Sequence, residues 1–298
     1  MSSATSTRRD FLRRSSATIA EMAGAFGLSR ICRGSDASPW KMRLACSSIN
    51  FSSLPIEQAV ERIAGLGFDA IDVWSAYVGC PHLDDALNRL GADGLVELLK
   101  KHKLDLYSFS VYVGGYARYA ELLGKVGGGV AVRGSGRFSD PDDLTKSMKQ
   151  FLEGLKPELE LAEKYDSYLA IENHSGKSLL NFMDSIKAFT DLNDHPRLGI
   201  ALAPYHIQIN GESVEEAIKT CGKQLLFFYA WQHAPGTGQL PGIGPTDCRP
   251  WLKALAEVKF RYPVTPFMHH EPEPDEMAEV MAKSRDYLKS SYSATVSG

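Results

Sequence analysis

Short apolar runs alternate with longer, helix-like patterns along the chain from Lys41 almost to its end. The apolar runs have the length of strands. In the segments between them, apolar positions recur every three to four residues, as on one face of a helix. Eight strands are predicted in this way, at residues 42–49, 68–74, 104–111, 129–133, 168–171, 198–202, 225–229 and 264–268.

This alternation predicts an α/β fold with a parallel sheet, because a helix between two strands lets the second strand run in the same direction as the first. Eight strand–helix units in about 260 residues favour a closed (β/α)8 barrel, the TIM barrel, over an open doubly wound sheet. Helix starts are expected at Asp140, with Pro141 in the first turn, at Ser178 and at Ser213. Pro157 should kink the helix that starts at Asp140.

The first 38 residues are predicted to be an export leader, which leaves residues 39–298 for a single barrel domain. Arg8 and Arg9, followed by Asp-Phe-Leu, resemble the twin-arginine export motif, and a mildly apolar stretch follows at residues 17–28. Small residues offer a cleavage point near Ser38. A periplasmic or otherwise exported protein is therefore expected. The alternative is a disordered basic tail on a cytoplasmic protein.

Composition limits the class of partner. The formal net charge is −3 and no basic block occurs beyond the N-terminus, which argues against nucleic-acid binding. No segment has the length and apolar character needed for stable membrane insertion. The five cysteines are scattered without a CxxC pair, so a zinc–thiolate site is not expected. A small-molecule ligand is favoured, and a homo-oligomer is left open.

Side chains that can bind a metal follow four consecutive predicted strands. Glu172 follows the fifth strand, His206 the sixth, Gln232 the seventh, with His233 as the alternative, and His269 the eighth. Because the carboxyl ends of barrel strands meet at one rim, these side chains should converge there. Carboxylate, imidazole and amide donors without thiolate suit one divalent ion such as Mn²⁺, Mg²⁺, Co²⁺ or Zn²⁺.

The same rim should carry groups that bind a substrate. Trp74, Tyr112 and Trp231 are expected to form an apolar wall for a sugar ring, with core packing as the alternative. Arg133 is expected to bind hydroxyl or phosphate oxygens unless it pairs with the glutamate after the fifth strand. His233 is assigned to substrate binding if it does not bind the metal.

Three segments resemble the xylose-isomerase-like barrel superfamily, which includes sugar phosphate isomerases and epimerases. Residues 67–72 (GFDAID) resemble its second-strand motif, residues 169–174 (LAIENH) its fifth-strand segment, and residues 198–206 (LGIALAPYH) its sixth-strand segment. The resemblance covers nearly all of the chain beyond the leader. It implies a barrel enzyme acting on a carbohydrate, with Glu172 as a metal ligand.

The chain departs from this family at three expected ligand positions. Ala203 stands where the sixth strand of the family has an aspartate, and His269 where the eighth strand usually has a glutamate. The seventh strand of the family usually offers a histidine, where this chain has Gln232 followed by His233.

Replacing the aspartate and the glutamate by neutral side chains removes the second carboxylate of the site, which acts as a proton-transfer base in the epimerases. Glu271 or His174 is therefore expected to provide acid–base catalysis together with Glu172.

Three hypotheses of function follow from these patterns. The first is a metal-dependent sugar isomerase or epimerase-like enzyme that works through an enediolate at the carboxyl end of the barrel. The second is a lyase or hydratase that cleaves 3-keto-glycosides with the same site. The third is a non-catalytic sugar-binding barrel, which the missing aspartate favours. Products separate the first two, since only an isomerase returns a sugar of equal mass.

Overall fold

A computed structural model describes residues 40–140 and 142–295, so the predicted leader lies outside the described residues. Within these ranges the strands form one parallel sheet in the order of the sequence. Leu44 bridges to Val264, whose amide donates a hydrogen bond to the Arg43 carbonyl at 2.9 Å, and this pairing joins the last strand to the first. The sheet is thus a nearly closed barrel, which confirms the predicted fold. Its strands are β1 (Ala45–Ser47), β2 (Ala70–Trp74), β3 (Asp105–Ser110), β4 (Gly129–Gly134), β5 (Ser167–Glu172), β6 (Leu198–Leu202), β7 (Leu225–Ala230) and β8 (Val264–Pro266).

Helices lie between the strands and cover the outside of the barrel. Their inward faces pack on the outward-facing residues of the strands, which gives the larger of the two hydrophobic cores. Within the described ranges the α-helices are α1 (Ile56–Gly65), α2 (His82–Asp85), α3 (Gly91–His102), α4 (Tyr116–Lys125), α5 (Leu144–Gly154), α6 (Lys156–Lys164), α7 (Met183–Leu192), α8 (Pro204–Ile209), α9 (Val214–Cys221), α10 (Arg249–Glu257) and α11 (Pro274–Thr295).

Successive strand residues alternate between the barrel interior and the helices, because side chains on a strand point to opposite faces. On β4, Val130 and Val132 belong to the interior cluster, whereas Ala131 packs with the helices. On β5, Ala170 faces inward and Ile171 outward. This alternation decides which side chains at the strand ends reach the barrel mouth.

The segment after β4 differs in detail from the prediction. Its helix is capped by Asp143, whose carboxylate accepts the Lys146 amide at 2.8 Å, so α5 starts later than the predicted cap at Asp140. The predicted kink is confirmed as a break at Leu155. Pro157 lies in the first turn of α6. Amide groups in the first turn make no hydrogen bond within the helix, so the missing N–H of proline costs nothing there.

The predicted helix starts at Ser178 and Ser213 have different outcomes. Ser213 caps α9, and its hydroxyl accepts the Glu216 amide at 3.2 Å, as expected. The helix after β5 begins only at Met183, because residues before it pair with the segment that follows β4.

Four cysteines in the described ranges are free and buried: Cys46, Cys80, Cys221 and Cys248. Burial raises the pKa of Cys46 to about 12, so this thiol stays neutral at physiological pH. Among the helices that the structure describes, none combines the length and hydrophobicity needed to cross a membrane.

Candidate active site

A cavity of about 360 Å³ lies at the carboxyl ends of the strands. Its lining comes from the ends of β2, β4 and β5 and from residues that follow β3, β6, β7 and β8. The structure brings together seven of the side chains predicted for the site. The seven are Trp74, Tyr112, Glu172, His174, His206, Trp231 and His269.

Glu172 is the last residue of β5 and lies on the inward-facing side of the strand. Its side chain is almost buried, with 8% of the residue exposed. Burial raises the pKa of the Glu172 carboxyl to about 7, and a hydrogen bond from the Tyr112 hydroxyl opposes this shift. Near neutral pH the group therefore exists in both protonation states, as a group that accepts and returns a proton requires.

A row of hydroxyl groups connects Glu172 to a second buried carboxyl, that of Asp72. The Tyr112 hydroxyl lies 3.2 Å from the Tyr229 hydroxyl, which lies 3.5 Å from Ser110 Oγ. Ser110 in turn donates to the Asp72 carboxylate at 3.0 Å. Burial raises the pKa of Asp72 to about 6, although several hydroxyl donors lower it. The interior beneath the cavity is thus a hydrogen-bonded network built around two acids.

His206 lies on α8, the short helix that follows β6. Its Nδ1 is 3.0 Å from the Ser175 hydroxyl, and its Nε2 is buried with no hydrogen-bond partner among the described residues. Burial, and after it the neighbouring His174 and His269, lower the pKa of His206 to about 3. The imidazole is therefore neutral. The exposed His174 ring lies over it, with 3.9 Å between ring centroids.

His269 is held through its backbone by Gln239, a residue for which the sequence offered no signal. Gln239 Nε2 donates to the His269 carbonyl at 3.1 Å, and Gln239 Oε1 accepts the His269 amide at 3.2 Å. The same oxygen accepts the Trp231 indole N–H at 2.7 Å. One buried amide thus fixes two residues of the cavity wall relative to each other.

The aromatic residues Trp74, Tyr112 and Trp231 line the cavity, and two of them are supported by stacking. Trp74 stacks on Phe267 at 5.4 Å between centroids, and Trp231 stacks on Tyr205 at 4.3 Å. The Trp74 indole N–H donates to the Asp72 carboxylate at 2.5 Å. Flat, preorganised rings of this kind suit the apolar face of a sugar.

Gln232 is not placed as a metal ligand, which corrects the prediction. It is fully buried, its Nε2 donates to the Leu240 carbonyl at 2.8 Å, and its Oε1 accepts the Thr246 amide at 2.7 Å. Both ends of the amide thus hold the loop after β7. The alternative residue, His233, is exposed outside the cavity and packs edge-on against Tyr205.

Arg133 also lies outside the cavity. It follows Val132 on β4, so strand alternation turns it outward, where it forms an ion pair with Glu158 of α6. The arginine that lines the cavity is Arg137, four residues later. Counting residues from the inward-facing Val130 and Val132 would have placed Arg133 on the outer face.

Glu271 follows β8 but does not line the cavity. Its Oε1 lies 3.6 Å from His269 Nδ1 and has no hydrogen-bond partner among the described residues. His174, the other residue expected to replace the family's catalytic carboxylate, lines the cavity directly.

The sequence profile of one family, described as the xylose isomerase-like TIM barrel, matches residues 60–290. The chain belongs to this family. No curated protein matches the chain. The family assignment agrees with the barrel, with its cavity at the carboxyl ends of the strands and with the resemblance of the second, fifth and sixth strand segments.

Solved structures of the xylose isomerase-like fold superimpose well but share little sequence. The IolI protein with a bound zinc atom is 17% identical, with a TM-score of 0.67 over 86% of this chain and 100% of that chain. The 3-keto-D-glucoside 4-epimerase YcjR from E. coli is 15% identical, with a TM-score of 0.64 over 83% of this chain and 100% of that chain. D-psicose 3-epimerase is 17% identical, with a TM-score of 0.63 over 86% of this chain and 100% of that chain. At these identities the comparisons establish the fold.

The side chains that the structure places here do not complete the metal centre expected from the family resemblance. Within the described ranges, no group of three or more His, Cys, Asp or Glu residues is arranged to hold a metal ion. Ala203 brings a methyl group where an aspartate is expected, and Gln232 is committed to its loop. Glu172 and the unpartnered Nε2 of His206 remain as donors that face one cavity.

Proposed function

We propose that this protein is a sugar isomerase or epimerase-like enzyme that moves a proton at a carbon next to a carbonyl group. The observation that carries the proposal is Glu172. Its carboxyl is buried at the edge of an aromatic-walled cavity, beside neutral imidazole, and its pKa lies near 7. The solved structures of sugar epimerases with the same fold support a carbohydrate as the substrate class.

Each group has a distinct role in this mechanism. The Glu172 carboxylate takes the proton from carbon, and the Tyr112 hydroxyl supports its charge. Neutral His206, held through Ser175, can donate from Nε2 to the substrate oxygen on which negative charge develops. His174, which lines the cavity beside His206, returns a proton to the product.

The predicted divalent ion, whether Mn²⁺, Mg²⁺, Co²⁺ or Zn²⁺, remains a hypothesis about this site. A zinc atom in the IolI structure supports it, and the incomplete donor set opposes it. Elemental analysis of the purified protein, followed by assays with and without a chelator, separates a metal-assisted reaction from one that depends on the side chains alone.

A lyase acting on 3-keto-glycosides is the second candidate. It begins with the same proton abstraction and ends with loss of the glycosidic oxygen. The likeness to a structure of a 3-keto-D-glucoside 4-epimerase favours keto-glycosides among the sugars to be examined. A product of reduced mass together with a free aglycone identifies the lyase.

Exchange of carbon-bound hydrogen in D₂O tests the shared first step for both candidates. Aldoses, ketoses and 3-keto-glycosides are incubated with the full chain, and deuterium uptake is followed by mass spectrometry. We expect uptake into at least one sugar class, and Glu172→Gln should lower its rate by about 10²-fold or more while circular dichroism stays unchanged.

Glu163→Gln is the matched control, because Glu163 is an exposed carboxylate on an outer helix. It should exchange deuterium at the wild-type rate. Full exchange in Glu172→Gln contradicts the proposed role of Glu172. Saturable sugar binding without any exchange supports the third hypothesis, a non-catalytic sugar-binding barrel.

A further inference from the structure

Arg137 differs from the other arginines of the described ranges because no described residue pairs with its side chain. Eight of the ten arginines in the described ranges form ion pairs with carboxylates, and Arg261 makes a contact of its own. For Arg137 the described residues supply neither a hydrogen bond to its side chain nor an ion pair. Yet it lines the cavity that holds Glu172. Its guanidinium therefore presents free N–H donors to whatever enters the cavity.

The backbone on which Arg137 sits is fixed by the neighbouring loop. Ser135 Oγ accepts the Leu180 amide at 3.1 Å, and the Gly136 carbonyl accepts the Leu179 amide at 3.0 Å. Arg137 itself forms an antiparallel bridge with Ser178. This pairing takes up the residues that were predicted to start a helix. It also brings two hydroxyl groups, those of Ser135 and Ser178, to the cavity lining beside Arg137.

Gly134 connects this loop to the proposed catalytic carboxyl. It is the last residue of β4, in register with Glu172 on β5, and both residues line the cavity. A Cβ atom at Gly134 would meet no atom within 4 Å, so there is open space next to Gly134 on the cavity side of the strand. A ligand that reaches Glu172 with one carbon therefore has room to extend toward Arg137.

The charge of the lining indicates what kind of ligand group fits there. Arg137 is the one lysine or arginine among the described residues that line the cavity. The other basic groups there are histidines, of which His206 is neutral. A neutral hydroxyl needs at most one of the guanidinium donors, whereas a carboxylate or a phosphate accepts two at once.

We propose that residues 134–137, with Ser178, form a subsite for the anionic group of an acidic sugar. The inference rests on the proposed function for the sugar part of the ligand and adds its charge. The anionic group is a carboxylate, as in a uronate, or a phosphate. Arg137 binds it in a bidentate way, with the hydroxyl groups of Ser135 and Ser178 as further donors.

Binding of three related sugars tests this subsite without requiring turnover. D-glucose, D-glucuronate and D-glucose 6-phosphate are titrated into the full chain at low salt, and heat or tryptophan fluorescence is measured. We expect at least one of the anionic sugars to bind about tenfold or more tightly than glucose, as charged hydrogen bonds predict. Whichever binds more tightly, glucuronate or the phosphate, identifies the source of the anion. The preference should weaken as salt is added.

Arg137→Gln should abolish this preference by lowering the affinity for the anionic sugars to about the affinity for glucose. The matched control is the double variant Arg133→Gln with Glu158→Gln, which removes the outward ion pair of the same segment and should keep the preference. Equal affinity of the wild type for all three sugars overturns the subsite. So does a preference that survives in Arg137→Gln, or the absence of saturable binding of both anionic sugars at millimolar concentration.

The two proposals fail in different ways. The first outcome is that an anionic sugar binds preferentially, that Arg137→Gln abolishes this preference, and that no sugar exchanges deuterium. This result supports the subsite and contradicts the proposed enzymatic function. Exchange that Glu172→Gln abolishes, with no preference for an anionic sugar, removes the subsite and leaves the enzyme.

Discussion

Glu172 is held in an environment that disfavours its charged form. Burial raises the pKa of this carboxyl from 4.5 to about 7, so the folded protein binds the proton more tightly than the unfolded chain does. Below pH 4.5 the carboxyl is mostly protonated in both the folded and the unfolded chain, so its ionisation does not lower the free energy of unfolding. As the pH rises from 4.5 to about 7, ionisation reduces the free energy of unfolding by an amount on the order of 3 kcal/mol.

Glu172→Gln removes this titration and gives a stability prediction with a definite sign. In chelator-treated protein, the free energy of unfolding of Glu172→Gln minus that of the wild type should increase between pH 4.5 and 7 and then level off. Urea denaturation of both proteins at several pH values measures this difference. A difference that does not vary with pH contradicts the raised pKa.

Asp72 lies under the cavity and accepts hydrogen bonds from Trp74 Nε1 and from three serines, Ser47, Ser108 and Ser110. In Asp72→Asn, the side-chain NH₂ group would face hydrogen-bond donors, so some of these hydrogen bonds would be lost. Asp72→Asn should therefore lower the free energy of unfolding by about 2–4 kcal/mol. Ser47→Ala, which removes a single donor, should cost less. Denaturation curves and the emission of Trp74 follow both effects, and equal costs would contradict a shared network.

The residue scale also shows where sequence reasoning succeeds. Glu172, His206 and His269 reach one cavity because each lies at or just after the carboxyl end of a strand, and these ends meet at the same rim. Strand alternation turns Arg133 outward and is readable from the valines of β4, whereas Arg137 lies in the loop beyond the end of that strand. The hydrogen bonds of Gln232 could not be predicted in this way. Its partners belong to a loop, and no local sequence pattern predicts the path of that loop.

That loop, residues 233–247, is the element that supports one side of the cavity. Gln232 binds it from within at Leu240 and Thr246, while Gln239 on the loop binds Trp231 and His269. The cavity wall therefore depends on side-chain amides as well as on strands. The limits of β6, by contrast, follow from a short apolar run and were predicted to the residue.

Gln232→Leu distinguishes a loop support from a metal ligand. Loss of two buried hydrogen bonds should lower the melting temperature by several degrees and should expose residues 233–247 to limited proteolysis. Metal content per chain should equal that of the wild type. Lower metal content with an unchanged cleavage pattern would restore the original prediction for Gln232.

At the scale of the whole molecule, the two ends of the described chain meet at the amino-terminal side of the barrel. The Tyr292 hydroxyl of α11 donates to the Trp40 carbonyl at 2.6 Å, and the two rings pack edge to face at 5.4 Å. Leu44, just before β1, forms a single isolated bridge to Val264 of β8. The contacts of α11 with Trp40 therefore help to hold the first and last parts of the barrel together, where strand pairing is sparse.

This arrangement predicts where the domain can be shortened. A chain that begins at residue 39 should melt at the temperature of the full chain, because its contacts at Trp40 are kept. A chain that begins at residue 44 loses Trp40 and the carbonyl of Arg43, and should melt several degrees lower. Equal melting temperatures of the two shortened chains would show that the closure at Trp40 adds little.

We also propose that the first 38 residues direct export by the twin-arginine route. Replacing Arg8 and Arg9 by lysine should retain the protein in the cytoplasm, as measured by cell fractionation. Unchanged export of this variant would show that the leader has been misread. A cytoplasmic wild-type protein would have the same meaning.

The buried thiols give this molecule a built-in reporter of its own opening. Each of the four cysteines in the barrel domain is sealed from solvent, so a thiol-reactive dye can reach it only when its surroundings come apart. In a Cys32→Ser background, the labelling rate therefore measures how often a given part of the barrel is breached. Cysteines that are labelled at the same rate mark regions that unfold together. Peptide mapping of the dye would show the order in which the parts of the barrel unfold.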